Sequence, residues 1–314
     1  MRALLCCALL VACGGSGGGD DDTTPDGPNA DPDGAVIPEG FTKLIGRTWS
    51  LPAPTGGTPD VYRCARITVP EDMYITNIVA QAPTGTHHTV LTFAGSNDTA
   101  GPDGDQDNCG VNTIGRVMLY ASGIGTEPLD FPLDVAVKVM AGQQLHLNLH
   151  LFNATDNPLS SETAILVKAA TTPPPMLAEM VFAGAFIFNI PAGQTLEKKG
   201  GCTATAPWNI FAVWPHQHQL GTHHKFTVTR DGAENVLHDD AYDFREQNYY
   251  LKTPEIAVLP GDKLETTCTW NNTTGSAVRW GESSNQEMCF TGLYRYPAQN
   301  EGVAKCTDTN GAGF

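Results

Sequence analysis

Apolar residues along this chain recur in short runs, many of them alternating with polar ones, and no sustained helical period appears. The runs include RITVP, MYITNIVAQA, TVLTFAG, VAVKVMA, LHLNLHLFN, MVFAGAFIFNI, NIFAVW, KFTVTR, EIAVL and KLETTCTW. Turn chemistry separates them: PTG, GPDGD, PAG, RDG, LPGD, NNTTG. Successive side chains of a strand point to opposite faces, so such runs bury one face and solvate the other. The pattern predicts an all-β fold of two consecutive antiparallel β-sandwich, jelly-roll-like domains. The segment TTPPPM, residues 171–176, cannot join a central strand, because proline donates no ladder hydrogen bond. It predicts a linker between domains at 41–170 and 177–314, each of ordinary size.

The N-terminus changes this picture only at the edge. One Arg precedes a short apolar run that ends at Cys13, the form of an export signal. LVAC followed by Gly resembles a bacterial lipobox, which implies cleavage before Cys13 and lipidation of that cysteine. The run is too short to span a bilayer. Residues 14–40 hold seven acidic residues and no Lys or Arg, among many Gly and Pro, and are expected to be a disordered acidic tether. The expected location is therefore a bacterial cell envelope, at the outer membrane or its periplasmic face, with the membrane met through the lipid anchor alone. The formal charge of −16 excludes a nucleic-acid partner, which needs clustered Lys and Arg. Part of that charge belongs to the tether.

Six cysteines follow the signal: Cys64, Cys109, Cys202, Cys268, Cys289 and Cys306. The number is even and the expected compartment oxidising, so disulfides are predicted. No CxxC occurs, which argues against a thiolate zinc site. The nine histidines are the candidate chemistry. His216 and His218 in WPHQHQ share a face if the segment is a strand, as do His146 and His150 in LHLNLH. His87 and His88 are adjacent and would need irregular backbone to meet one ion. Singly, each motif is as readily structural. Together they suggest a metal, with copper, zinc, iron and nickel all suited to imidazole. A thioether would select copper, and Met288 stands beside Cys289 in ESSNQEMCF.

The order HH, strand His, HxH, MC resembles the copper type II, ascorbate-dependent monooxygenases. The segments that carry the resemblance are YRCARITVPEDMYITNIVAQAPTGTHHTVLTF, LHLNLHLFN, FAVWPHQHQLG, NYYLKTPEIAVLPGDKLETTCTWNN, ESSNQEMCF and YRYP, spread over about residues 58–300. The resemblance implies two coppers per chain. His87, His88 and His150 would hold an electron-transfer copper, and His216, His218 and Met288 an oxygen-binding copper, across a solvent cleft. His146 is the runner-up for the third ligand of the first site. Asn148 falls where the family has a polar residue near that site and is a candidate orienting partner. No family role carries over to His223, His224 or His238. The family pattern also implies the bridges Cys64–Cys109, Cys202–Cys306 and Cys268–Cys289.

The implied reaction is hydroxylation of a substrate C–H with O2 and ascorbate or another one-electron donor. Peptide-amidating members hold a carboxylate with an Arg before HxH and with Asn and Tyr after MC. This chain has Trp214, Phe290 and Gly292 there, so the usual carboxylate fork is missing. That argues against peptide amidation and for a small apolar or aromatic substrate against Trp214 and Phe290. The competing expectation is a non-catalytic copper-binding envelope lipoprotein for storage or sensing.

Overall fold

The computed structural model describes residues 37–54, 61–93, 101–110 and 116–309. The expected signal, Cys13 and most of the tether lie outside the described residues. Among the described residues every regular element is a strand.

In the first half, one sheet runs in the order Thr42–Leu51, Leu159–Ala170, Met73–Gln81, Val135–Val139, Met176–Leu177. A second runs Gly104–Asp107, Val61–Thr68, Gln144–Leu151, Thr86–Phe93, Val117–Ser122. In the second half, one sheet runs Tyr250–Val258, Trp208–His216, Phe290–Tyr296, Glu179–Gly184, Cys306–Thr307. Another runs Thr195–Thr203, Lys263–Asn271, Gly221–Arg230, Ala233–Ala241. Among the described strands, pairing is antiparallel apart from two short parallel ladders, with one further isolated parallel bridge between Trp280 and Glu287. One ladder joins Glu179–Gly184 to Cys306–Thr307, and the other joins Met176–Leu177 to Val135–Val139. The chain leaving the prolines thus adds an edge strand to a sheet of the first half.

The strand Gln144–Leu151 shows why the histidines end where they do. All eight of its residues are buried. Leu145, Leu147, Leu149 and Leu151 alternate into the largest apolar cluster, each worth roughly 1.5–3 kcal/mol of burial. Alternation sends Gln144, His146, Asn148 and His150 to the opposite face. That cluster draws on both halves, with Trp49, Ile75 and Leu91 from one and Phe211, Trp214 and Tyr294 from the other. A smaller cluster, including Trp208, Phe226, Val228 and Leu293, lies wholly in the second half.

Three disulfides close: Cys64–Cys109, Cys202–Cys306 and Cys268–Cys289. The second spans a separation of 104 residues, so it removes the most freedom from the unfolded chain. Replacing both Cys202 and Cys306 with serine is expected to lower stability by roughly 3 kcal/mol. Urea unfolding of the double variant beside the parent measures the shift; an unchanged midpoint would contradict the estimate.

Candidate metal centre

His87 and His88 lie on Thr86–Phe93, and His150 on Gln144–Leu151, with His88 opposite His150 in register. Adjacent residues of a regular strand point apart, but here the ladder slips between Thr86 and His88. That irregularity lets both rings turn to one side. One ring nitrogen from each of the three histidines falls within 4.8 Å of the other two. The Nδ1 atoms of His87 and His88 are 3.1 Å apart. Tyr62 stacks on His150, centroids 4.9 Å apart. Burial holds His88 well below the ordinary imidazole value, and neighbouring His87, His150 and His216 push it further down. A neutral imidazole with its lone pair available is the form that ligates a metal.

His216 closes the strand Trp208–His216 and His218 follows it, their rings 5.3 Å apart. Burial depresses both, His216 to about 3 and His218 to about 4. Their tautomers follow from their partners. Gln247 Nε2 donates to the Phe244 carbonyl at 3.0 Å, which turns Gln247 Oε1 toward His216 Nδ1 at 3.0 Å. An amide oxygen only accepts, so His216 carries its proton on Nδ1. His218 Nδ1 likewise donates to the Gln286 carbonyl at 3.0 Å. The Nε2 lone pairs of both rings are left for another partner. Met288 lines the same cavity as His216 and His218, and so do His88 and His150. The two histidine groups therefore open on one space, walled largely by apolar side chains such as Met118, Phe182, Phe186 and Trp280.

Both donor sets fit copper. Three imidazoles converge in one, and two oriented imidazoles stand with a thioether on a shared wall in the other.

Trp214 and Phe290 line this cavity, each 2% exposed, and both lie against His216 with centroids at 4.8 and 4.7 Å. Trp214 also pairs across strands with Gly292. A Cβ on Gly292 would stand 2.9 Å from Trp214 Cε3. The indole thus occupies the room that a side chain at 292 would need, and the two departures from the amidating pattern are one packing solution.

Asn148 donates to the Gly110 carbonyl at 2.6 Å and lies against the Cys64–Cys109 bridge, while also lining the cavity. His146 is 1% exposed and outside the three-histidine group, and among the described residues neither of its nitrogens has a hydrogen-bond partner. His223 pairs with Asp239. His224 is buried and donates from Nε2 to the Phe290 carbonyl at 3.2 Å, with His238 beside it.

Sequence reasoning missed three residues. Gln247 orients His216, and Phe244 touches both histidine groups. The Glu287 carboxylate accepts from the His218 and Leu220 main chain and from Trp270 Nε1 at 2.7–2.9 Å. Only Glu287 left a trace in the sequence, as an acid directly before Met288. Phe244 and Gln247 sit in a loop with no pattern to mark it.

A pH dependence follows from the buried imidazoles. Burial first, then Arg116 and Arg66, hold His146 at about 3; burial and then His238 hold His224 at about 3. The unfolded chain takes up these protons near 6.5 and the folded chain does not. The unfolded state binds more protons below that value, so stability falls as pH drops from 6.5 toward 3. The metal-free protein should show a lower urea midpoint at pH 5 than at pH 7.5. His146→Leu, which sacrifices no hydrogen bond, should flatten that slope; an unchanged slope would mean that His146 takes a proton in the folded chain.

Residues 179–311 match the copper type II ascorbate-dependent monooxygenase C-terminal domain. The chain is similar to DBH-like monooxygenase protein 1 of Mus musculus, 28% identical over 214 residues, covering 61% of this chain and 35% of that protein. It is similar to tyramine beta-hydroxylase of Caenorhabditis briggsae, 34% identical over 115 residues, 35% of this chain and 20% of that one. It also matches dopamine beta-hydroxylase of Canis lupus familiaris, 35% identical over 91 residues, 28% of this chain and 15% of that one. The chain spans about a third or less of the length of these relatives. The match at 179–311 covers less than half of the chain; it takes in the HxH pair, Met288 and two of the three disulfides, so the second half of the chain is similar to the C-terminal domain of the copper type II ascorbate-dependent monooxygenases.

Proposed function

We propose that this chain is a copper-dependent monooxygenase that hydroxylates a substrate C–H bond with O2 and a one-electron donor such as ascorbate. The observation that carries this reading is the opening of two unlike donor sets onto one cavity. His87, His88 and His150 hold an electron-transfer copper, and His216, His218 and Met288 hold the copper that meets O2. A protein that only stored copper would have no need for two chemically different sets. The reading includes two sandwich-like domains, 41–170 and 177–314, one for each set.

Copper, when bound, supplies the one-electron steps that O2 chemistry requires. The chain supplies the rest. Gln247 and the Gln286 carbonyl keep protons on Nδ1 of His216 and His218, which presents Nε2 to the cavity side of each ring. Met288 adds a soft donor that favours the reduced ion. Glu287 and the Cys268–Cys289 bridge flank it and fix its backbone. The largely apolar, aromatic wall favours an apolar or aromatic C–H. Trp214 and Phe290 meet the substrate from the His216 side. Position 214 carries Trp where the amidating members have the Arg of their carboxylate fork, so peptide amidation is not part of this reading.

The test is copper content with oxygen uptake. The chain is loaded with copper, excess is removed, and copper per chain is measured. O2 consumption with ascorbate is then followed against small aromatic substrates; relatives named for dopamine and tyramine hydroxylation make phenylethylamines the first to try. Two coppers with substrate-dependent uptake and a hydroxylated product support the enzyme. Two coppers without coupled uptake favour storage or sensing. No copper would sink the ligand assignment.

A further inference from the structure

Phe244 lines the cavity shared by the two histidine groups and lies close to both. Its ring centroid lies 4.9 Å from His88 and 5.7 Å from His87 in one group, and 5.9 Å from His218 in the other. The contacts with His88 and His218 are edge-to-face, at 71° and 78°. Such pairs have a preferred centroid spacing, because the ring edge is held at contact distance from the opposing face. One side chain is thus in contact with both donor sets.

The loop that carries it is fastened from both halves of the chain. Gln247, 1% exposed, donates to the Phe244 carbonyl and, at 3.1 Å, to the Tyr242 hydroxyl. Tyr242 donates in turn to the Gln217 carbonyl at 2.6 Å, between the two histidines of the HxH motif. From the first half, Thr126 Oγ1 donates to the Gln247 carbonyl at 2.9 Å. Gly123 lies so close that a Cβ there would meet Gln247 Cβ at 2.9 Å. The main chain that carries the Phe244 ring therefore cannot shift without straining bonds to both halves.

We infer that Phe244 is the spacer that sets the separation of the two copper sites, acting through the imidazoles it touches. The inference rests on the copper reading above. It makes Phe244 a positioning residue: it holds no metal and donates no proton. Two filled sites carry like charge and repel across a shared cavity, while the fastened loop draws the halves together. A ring in contact with both groups converts those opposing tendencies into one fixed distance. Volume at position 244 then controls that distance.

The experiment uses the full chain and the variants Phe244→Ala, Phe244→Leu and Phe244→Trp, each loaded with Cu(II). Three quantities are read: copper per chain, thermal midpoint, and the copper–copper distance distribution from dipolar broadening in electron paramagnetic resonance. The expected result is two coppers in the parent and in every folded variant. The parent distribution is narrow, alanine at least doubles its width, leucine falls between, and tryptophan lengthens the mean. A residue that served only stability would move the midpoint and leave the distance alone. If the alanine variant does not fold, leucine and tryptophan carry the comparison. Two coppers with the parent's distribution in all variants would overturn the spacer, as would loss of a copper from the variants, which would assign Phe244 to binding itself. Fewer than two coppers in the parent would instead overturn the copper reading, and stoichiometry alone reports that.

Discussion

Met288→Ile leaves the fold and the first histidine group intact and removes substrate-dependent oxygen uptake. Isoleucine fills nearly the same volume, and Met288 is only partly buried against the large core, so packing changes little. The neighbouring residues hold the main chain in place: Cys289 is bridged to Cys268, and the Glu287 carboxylate accepts from His218, Leu220 and Trp270 among its donors. What the substitution removes is the sulfur. Losing a hydrogen-bond partner of a ligand costs about 10–100-fold in metal affinity or activity, so losing a ligand should cost roughly 100-fold or more in turnover. Copper at the His87, His88 and His150 group should persist, visible as one remaining Cu(II) signal. His87→Ala should give the complementary result, with that signal lost and uptake halted after the first electron is spent. Full uptake in the isoleucine variant would remove Met288 from the reaction.

Glu287→Ala is the substitution expected to damage stability most. The carboxylate is 0% exposed, and burial raises it to about 7 against the pull of four donors: the main chain of Leu220, His218 and Met288, and the Trp270 indole. Alanine would leave those buried N–H groups without an acceptor. Each such group costs about 1–3 kcal/mol, so the sum is on the order of 5 kcal/mol if partial relaxation is allowed. The damage is directed, because two of the donors belong to the proposed ligands His218 and Met288 and one to Leu220, two residues after the HxH pair. Loss of the second copper should therefore accompany loss of stability. Glu287→Gln keeps one acceptor oxygen and should fall between. Urea unfolding and copper per chain on the three proteins decide it. A Glu287→Ala protein with the parent's midpoint would mean that solvent replaces the carboxylate.

The strands were legible in the sequence because their signals are local. Alternation in LHLNLHL assigned leucines to one face and histidines to the other, and that is how the strand is buried. The all-β reading rested on such runs and on the turns between them. The cysteine pairs were accessible only through family resemblance, since six cysteines alone allow many pairings. What stayed hidden is contact between distant segments. Nothing in YDFREQ marks Phe244 as touching histidines at 87, 88 and 218, because that depends on how the halves meet. The convergence of His87 and His88 was equally obscure: an adjacent pair turns to one side only where the ladder slips, and a slip between Thr86 and His88 has no signature in residue types.

The pairing of Trp214 with Gly292 constrains how this cavity can change. A side chain added at 292 crowds the indole, whose Cε3 would stand 2.9 Å from its Cβ. An Arg placed at 214 while 292 is still glycine leaves apolar volume unfilled and a cation without its phenolic neighbour. Each step alone should lower stability, and only the double replacement restores packing. Positions 214 and 292 therefore form an epistatic pair. Converting this pocket toward carboxylate recognition by accumulating single substitutions would have to cross a fitness valley in either order, whereas exchanging both residues together would not.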